Sequence, residues 1–445
     1  MTKTLRFSEI NKLAIPAIFA GIAEPLLSIS DLAIIGRVPE NPTETLAAVG
    51  IAGSFLSAMI WILAQMKSAI SAIVSRYLGE KKLSEVYTLI PQALSIILVL
   101  SILLSVLAIR YSGTIFRWYD ADGLIHQYAC EYFNIRALGF PLTLLCFSIF
   151  GVFRGLQNTL WAMYISIGAA VLNISLDIVF VYGFYSIPAM GIAGAAYASL
   201  ITQAAMLTAA LYVLYKKTDF RIRLVKRIHP ELKFLFTMGG NLFLRTAALN
   251  YTLYMANKFA TSYGENFIAA HTIALNIWLF SAFFIDGYAN AGNAIAGKLA
   301  GEKNPEALVN LSKTINKAGI GISLLVCIIF SISYSNIGYL FSESEEVLSV
   351  FASIFWLLII SQPINAIAFT MDGIMKGLGE AKFLRNLLVL SSFFAFTPLL
   401  FLLDYLDCEI YAIWTAIPFW MLLRAGGLLY YFRKKYLNFT KTKGI

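Results

Sequence analysis

The chain has 445 residues, of which 59% are apolar and only 13% charged, with a net charge of +9 and a mean hydropathy of +0.74. A water-soluble domain carries about 25% charged residues, so a soluble enzyme or nucleic-acid-binding protein is set aside and the positive charge is read as membrane orientation. The four cysteines, Cys130, Cys146, Cys327 and Cys408, have no disulfide or metal spacing.

Apolar runs of about 20 residues match a bilayer core. They predict twelve membrane helices, at 13–36, 46–75, 87–111, 125–154, 159–183, 190–214, 234–261, 267–297, 318–341, 347–375, 383–403 and 410–431. The first has no small-residue cleavage site and is expected to remain as a span. It carries Glu24 and Asp31, seven residues apart on one face, with Pro16 and Pro25 as kink positions.

A charge inside the bilayer is costly and needs a partner or a function. In the second span Lys67 lies in the inner half and is expected to snorkel. In the fourth, Tyr132 and Arg136 share a face, and Arg136 is expected to neutralise Glu24 or Asp31. In the fifth, Asn173 and Asp177 are one turn apart. The first and fifth spans both run outward, which puts Asp31 and Asp177 at similar depth. Two carboxylates with an amide oxygen from Asn173 can hold a cation. They can equally share one proton, since close like charges disfavour double ionisation. The blander alternative is that each is a satisfied structural group.

The basic segment 215–233 reads as a cytoplasmic linker. Beyond it, Arg245 and Asp286 fall near mid-membrane on adjacent spans and are expected to pair, with substrate contact as the alternative. Asp372 and Lys376 form a one-turn ion pair, and Arg424, in the inner half of the last span, is expected to snorkel.

With the N-terminus cytoplasmic, 26 of the 34 Lys and Arg fall inside, four outside and four within spans. Both termini are therefore expected in the cytoplasm. A constant offset of 222 relates Pro141 to Pro363, Phe147 to Phe369, Gly151 to Gly373 and Gly155 to Gly377. The same offset relates Gly79-Glu80-Lys81 to Gly301-Glu302-Lys303 and Ala47-Ala48 to Ala269-Ala270. The expected fold is all-α, two six-helix lobes at 1–214 and 234–445 related as parallel repeats. There is no P-loop, HExxH or GxSxG, and His126, His229 and His271 are far apart, so neither ATP-driven transport nor catalysis is expected.

The run 28–36 (SISDLAIIG), the segment 154–159 (RGLQNT) and Asn173-Ile174-Ser175-Leu176-Asp177 resemble motifs of multidrug and toxic compound extrusion (MATE) transporters. Segments 269–276 (AAHTIALN) and 286–291 (DGYANA) resemble the DinF-like branch. The resemblance implies a plasma-membrane antiporter exporting bulky, often cationic organic molecules through a V-shaped cleft. Its coupling ion, H⁺ or Na⁺, would sit at Asp31, Asn173 and Asp177. Glu24, Tyr132, Arg136, Arg245 and Asp286 are candidate cleft residues. It implies no prosthetic cofactor, no metal beyond Na⁺, no nucleic acid and a functional monomer in the lipid bilayer. Glu24 and Lys67 depart from the family pattern. The rivals are a lipid-linked saccharide flippase of the same broader superfamily and a non-transporting membrane scaffold.

Overall fold

The computed structural model describes residues 6–38, 41–223 and 227–437, leaving aside the side chains of residues 24, 25, 28, 29 and 42. The described chain is helical almost throughout. The helices are α1 (Phe7–Ile35), α2 (Pro42–Leu63), α3 (Met66–Gly79), α4 (Leu89–Arg110), α5 (Ser112–Trp118), α6 (Gly123–Leu138), α7 (Phe140–Gly155) and α8 (Leu160–Tyr182). They continue with α9 (Gly191–Lys217), α10 (Glu231–Tyr263), α11 (Glu265–Gly301), α12 (Pro305–Ile332), α13 (Glu345–Gly377), α14 (Ala381–Ser391), α15 (Thr397–Tyr405) and α16 (Ile410–Phe432).

Among the described residues nine helical runs are long and apolar enough to cross a bilayer. A tenth span is α6 and α7 together, bent by 44° at Gly139. With α1 and α10, of 29 and 33 residues, these make the twelve expected spans. Helices α2 and α3 form one of them, as do α14 and α15. The latter pair is joined by a π-type turn at residues 392–396. Pro398 has no N–H to give, and the Thr397 hydroxyl donates instead to the Ser392 carbonyl at 2.9 Å.

One span is displaced from expectation. The ninth, placed at 318–341, is α12 at Pro305–Ile332. The start is fixed by Asn304, whose side chain accepts from the Ala307 N–H at 3.0 Å, and by Pro305 in the first turn. The end is fixed where residues 333–341 turn.

The chain forms two compact units. The N-terminal unit comprises residues 19–70 and 82–236; the C-terminal unit comprises 1–18, 71–81 and 237–445. Two stretches of the expected first lobe thus pack with the second. In the N-terminal unit, α8 and α9 form an antiparallel pair, and α2 packs on α6. In the C-terminal unit, α11 and α13 pack along much of their length around a core containing Phe351, Phe355, Phe396, Trp414 and Trp420.

The 222-residue offset has a geometric counterpart. A Cβ on Gly79 would lie 2.0 Å from the Lys298 carbonyl oxygen, and one on Gly301 would lie 2.0 Å from that of Arg76. The contact is reciprocal, because Arg76 and Lys298 are themselves 222 apart. Within the N-terminal unit a Cβ on Gly151 would fall 2.5 Å from the Lys67 carbonyl oxygen; in the C-terminal unit, one on Gly373 would fall 2.1 Å from that of Ala289. The same backbone approach is made once in each unit, at positions 222 apart.

Candidate functional site

In the N-terminal unit α1 and α8 bring Asp31, Asn173 and Asp177 together. Asp31 is 4% exposed and Asp177 fully buried. The Asn173 side chain bridges them: Nδ2 donates to Asp31 Oδ1 at 3.2 Å and to Asp177 Oδ2. The Ser199 hydroxyl, reaching in from α9, donates to Asn173 Oδ1 at 3.4 Å. A second tie holds the same helices near their C-terminal ends, where Tyr182 donates its phenol hydrogen to the Ile34 carbonyl at 2.7 Å.

The amide orientation differs from expectation. Its oxygen was expected to face a cation, yet it faces Ser199 and the nitrogen faces the acids. Two carboxylates are acceptors only, and an amide between them is best satisfied by turning its two N–H groups toward them. Asp177 Oδ1 remains buried without a hydrogen-bond partner among the described residues. Such an oxygen is costly to leave unsatisfied, and a proton or a cation would satisfy it.

Tyr132 and Arg136 of α6 lie beside this group. Tyr132 is buried, and the Arg136 guanidinium lies 5.7 Å from the centre of its ring. The charge of Arg136 acts on both Asp31 and Asp177. The Glu24 side chain lies outside the described residues. The ammonium of Lys67 sits 5.2 Å from the centre of the Phe147 ring.

In the C-terminal unit the expected partnership of Arg245 is corrected. Arg245 binds Asp372, not Asp286: Nε and Nη2 approach Asp372 Oδ1 at 2.9 and 2.7 Å. Lys376 holds the other carboxylate oxygen at 2.9 Å, as its one-turn spacing implied. Asp286 is exposed and accepts from Asn290 Nδ2 at 3.1 Å. The reason is rotational: Ile285, Gly287, Tyr288 and Ala289 are buried, so position 286 faces away from the packed side of α11. Arg424 does not snorkel. It is 1% exposed, with its guanidinium carbon 4.7 Å from the centre of the Trp420 ring. His271 packs on Trp414, ring centres 5.8 Å apart. Ser199 and Tyr182 carried no local sequence signal, because each meets its partner across helices; Trp420 lies one turn before Arg424 on α16, a spacing the sequence analysis did not use.

The MatE family model matches the chain twice, over residues 16–179 and 244–406. Among curated relatives, Protein DETOXIFICATION 45, chloroplastic, of Arabidopsis thaliana is 28% identical over 84% of this chain and 69% of its own length. DNA damage-inducible protein F of Escherichia coli is 22% identical over 96% of this chain and 92% of its own length. Two further Arabidopsis relatives are matched over only 56% and 55% of their own length. A solved structure described as MATE in the bent conformation superposes with a TM-score of 0.90, covering 100% of both chains at 21% identity.

Proposed function

The chain belongs to the MatE family of multi-pass membrane transporters, and on that premise we propose that it is a secondary active antiporter driven by H⁺ or Na⁺. Its cargo would be amphipathic, often cationic organic molecules, exported across the plasma membrane by alternating access, with both termini cytoplasmic. Residues 1–214 and 234–445 would be its two repeats and 215–233 their linker. Asp31, Asn173 and Asp177 would form the coupling site.

The observation that carries this reading is the buried oxygen of Asp177, unsatisfied beside a second carboxylate and an amide. Two ionised carboxylates in a dry interior repel each other and are poorly solvated. A proton removes one charge and turns one acceptor into a donor. A sodium ion compensates charge and takes oxygen ligands, which Asp31, Asp177 and Ser199 supply, with Asn173 able to present its oxygen by turning over. Either event changes what holds α1 to α8, and so links ion binding to the position of α1. One charge moving down 100 mV releases about 2.3 kcal/mol, enough to bias an alternating-access equilibrium by more than tenfold.

The test is dye efflux from proteoliposomes under separately imposed proton and sodium gradients. One of the two gradients should drive efflux and its collapse should stop it. Flux indifferent to both would overturn the reading in favour of a scaffold.

A further inference from the structure

In the N-terminal unit α6 and α7 meet at a bend of 44° at Gly139. Pro141 has no N–H to return to the Ala137 carbonyl one turn earlier, and that carbonyl takes the Ser105 hydroxyl of α4 instead. The C-terminal unit treats its own proline in the same way: Pro363 frees the Ile359 carbonyl, and the Cys327 thiol donates to it at 3.1 Å. These three positions are 222 residues on from Pro141, Ala137 and Ser105. Yet α13 runs unbroken through Pro363, from Glu345 to Gly377. A proline with its orphaned carbonyl capped is therefore not enough to break the helix. Where the N-terminal unit has Gly139, the residue 222 positions on is Ser361.

What the N-terminal unit adds is the glycine and, facing it, Gln203 of α9. A Cβ on Gly139 would fall 1.6 Å from Gln203 Oε1 and 2.8 Å from its Cδ. The Gln203 amide thus occupies the place that any side chain at 139 would need. Its oxygen is buried without a hydrogen-bond partner among the described residues, so fit holds it there against a cost in stability. Helix α9 packs on both α6 and α7. One turn before Gln203, Ser199 holds the Asn173 amide that bridges the two acids. One turn before Gly139, Arg136 sends its charge to Asp31 and Asp177, and the Gly139 N–H donates back to the Arg136 carbonyl at 3.0 Å. One side of α9 therefore touches the cluster of acids and the bend on successive turns.

We propose that Gln203 is a positioning residue for the coupling site: wedged in the α6–α7 bend, it fixes where Arg136 stands against Asp31 and Asp177 and so sets the ion concentration at which the acids fill. The groups that face the acids are Asn173 of α8, Ser199 of α9 and, from α6, Tyr132 and Arg136, the cation of the set. Without the wedge the angle between α6 and α7 is free to change and Arg136 is no longer held at the acids. The ionised pair then loses part of the charge that favours it, and it takes up a proton at higher pH. The proposal rests on the reading of Asp31 and Asp177 as the ion site and adds what tunes that site.

The test reads protonation directly, on the full chain in detergent and sodium-free buffer, without any gradient. Dicyclohexylcarbodiimide adds to protonated carboxyl groups, and mass spectrometry of the peptides carrying Asp31 and Asp177 gives the pH of half-maximal labelling. Gln203→Ala should raise that pH by at least about half a unit, roughly a threefold change in proton concentration. Gly139→Ala, whose methyl group displaces the amide, should do the same, and either variant suffices should the other fold poorly. Gln203→Met, which keeps the length of the side chain, should shift it by less than half as much. In an Arg136→Gln background, where the labelling pH is already raised, Gln203→Ala should add nothing. Three results would overturn the proposal: a lowered thermal midpoint with unchanged labelling pH in the alanine variants, a Gln203→Met shift as large as that of Gln203→Ala, or a shift that persists without Arg136. Because no transport is measured, failure here is separate from failure of gradient-driven dye efflux.

Discussion

Arg245 directs Nε and Nη2 onto one oxygen of Asp372, while Lys376 occupies the other. Removing one member of such a buried pair leaves an uncompensated charge, at a cost of about 3–5 kcal/mol. Arg245→Ala and Asp372→Ala should each lower the thermal midpoint of the detergent-solubilised protein sharply. The double variant should lose less than the sum, by about 0.5–3 kcal/mol. Arg245→Ala and Asp286→Ala should instead be additive. A double-mutant cycle that couples Arg245 to Asp286 and not to Asp372 would contradict this arrangement.

Asp31→Asn and Asp177→Asn each imitate the protonated acid and cannot release a proton. Each should reduce gradient-driven efflux from proteoliposomes to background while expression and thermal midpoint stay near wild type. Wild-type pumping rates in both variants would make these residues structural and move the coupling site elsewhere.

Ser199 sets the amide by donating to Asn173 Oδ1. Ser199→Ala should cost about 0.5–1.5 kcal/mol of stability. It should also shift the ion concentration giving half-maximal efflux, since the amide is then free to turn over. A stability loss with an unchanged ion response would restrict Ser199 to packing.

Gly79→Ala and Gly301→Ala drive a methyl group into a carbonyl oxygen and should each prevent accumulation of folded protein. Gly50→Ala, at an exposed helix position with nothing within 4 Å, should be neutral or stabilise by up to about 1 kcal/mol. Size-exclusion profiles of the purified variants check the contrast.

Orientation is tested with single cysteines in a background lacking the native four. Cysteines replacing Asp122 and Glu343 should react with an impermeant thiol reagent on intact cells, and those replacing Lys82 and Asp219 should not. All four positions are exposed. The reverse pattern would invert the topology.

The spans were legible in the sequence because hydropathy is additive along a chain and needs no knowledge of partners. The start of α12 was missed because Lys313 and Lys317 interrupt the apolar run, although Asn304-Pro305 marks it. Asp31 and Asp177 could be matched by depth, and Asn173 by its one-turn spacing. The partner of Arg245 could not. A helix apolar on most sides has no stripe to fix its rotation, so nothing local said that Asp286 faces out while Asp372 faces in. The same ambiguity made Arg424 look like a residue able to reach the interface. Which way the Asn173 amide points depends on Ser199, 26 residues away on another helix.

The division of the chain into units has a bearing on modularity. The backbone passes from one unit to the other four times, at residues 18–19, 70–71, 81–82 and 236–237. A cut in the segment 215–233 severs none of the first three passages, so each unit would still be stitched to the other by the N-terminal half of the chain. Neither half is then a detachable module: residues 1–214 made alone would carry two stretches, 1–18 and 71–81, whose packing surface belongs to the missing half. Two co-expressed fragments divided within 215–233 are in contrast equipped to recognise each other, because one already contributes structural pieces to the other's core.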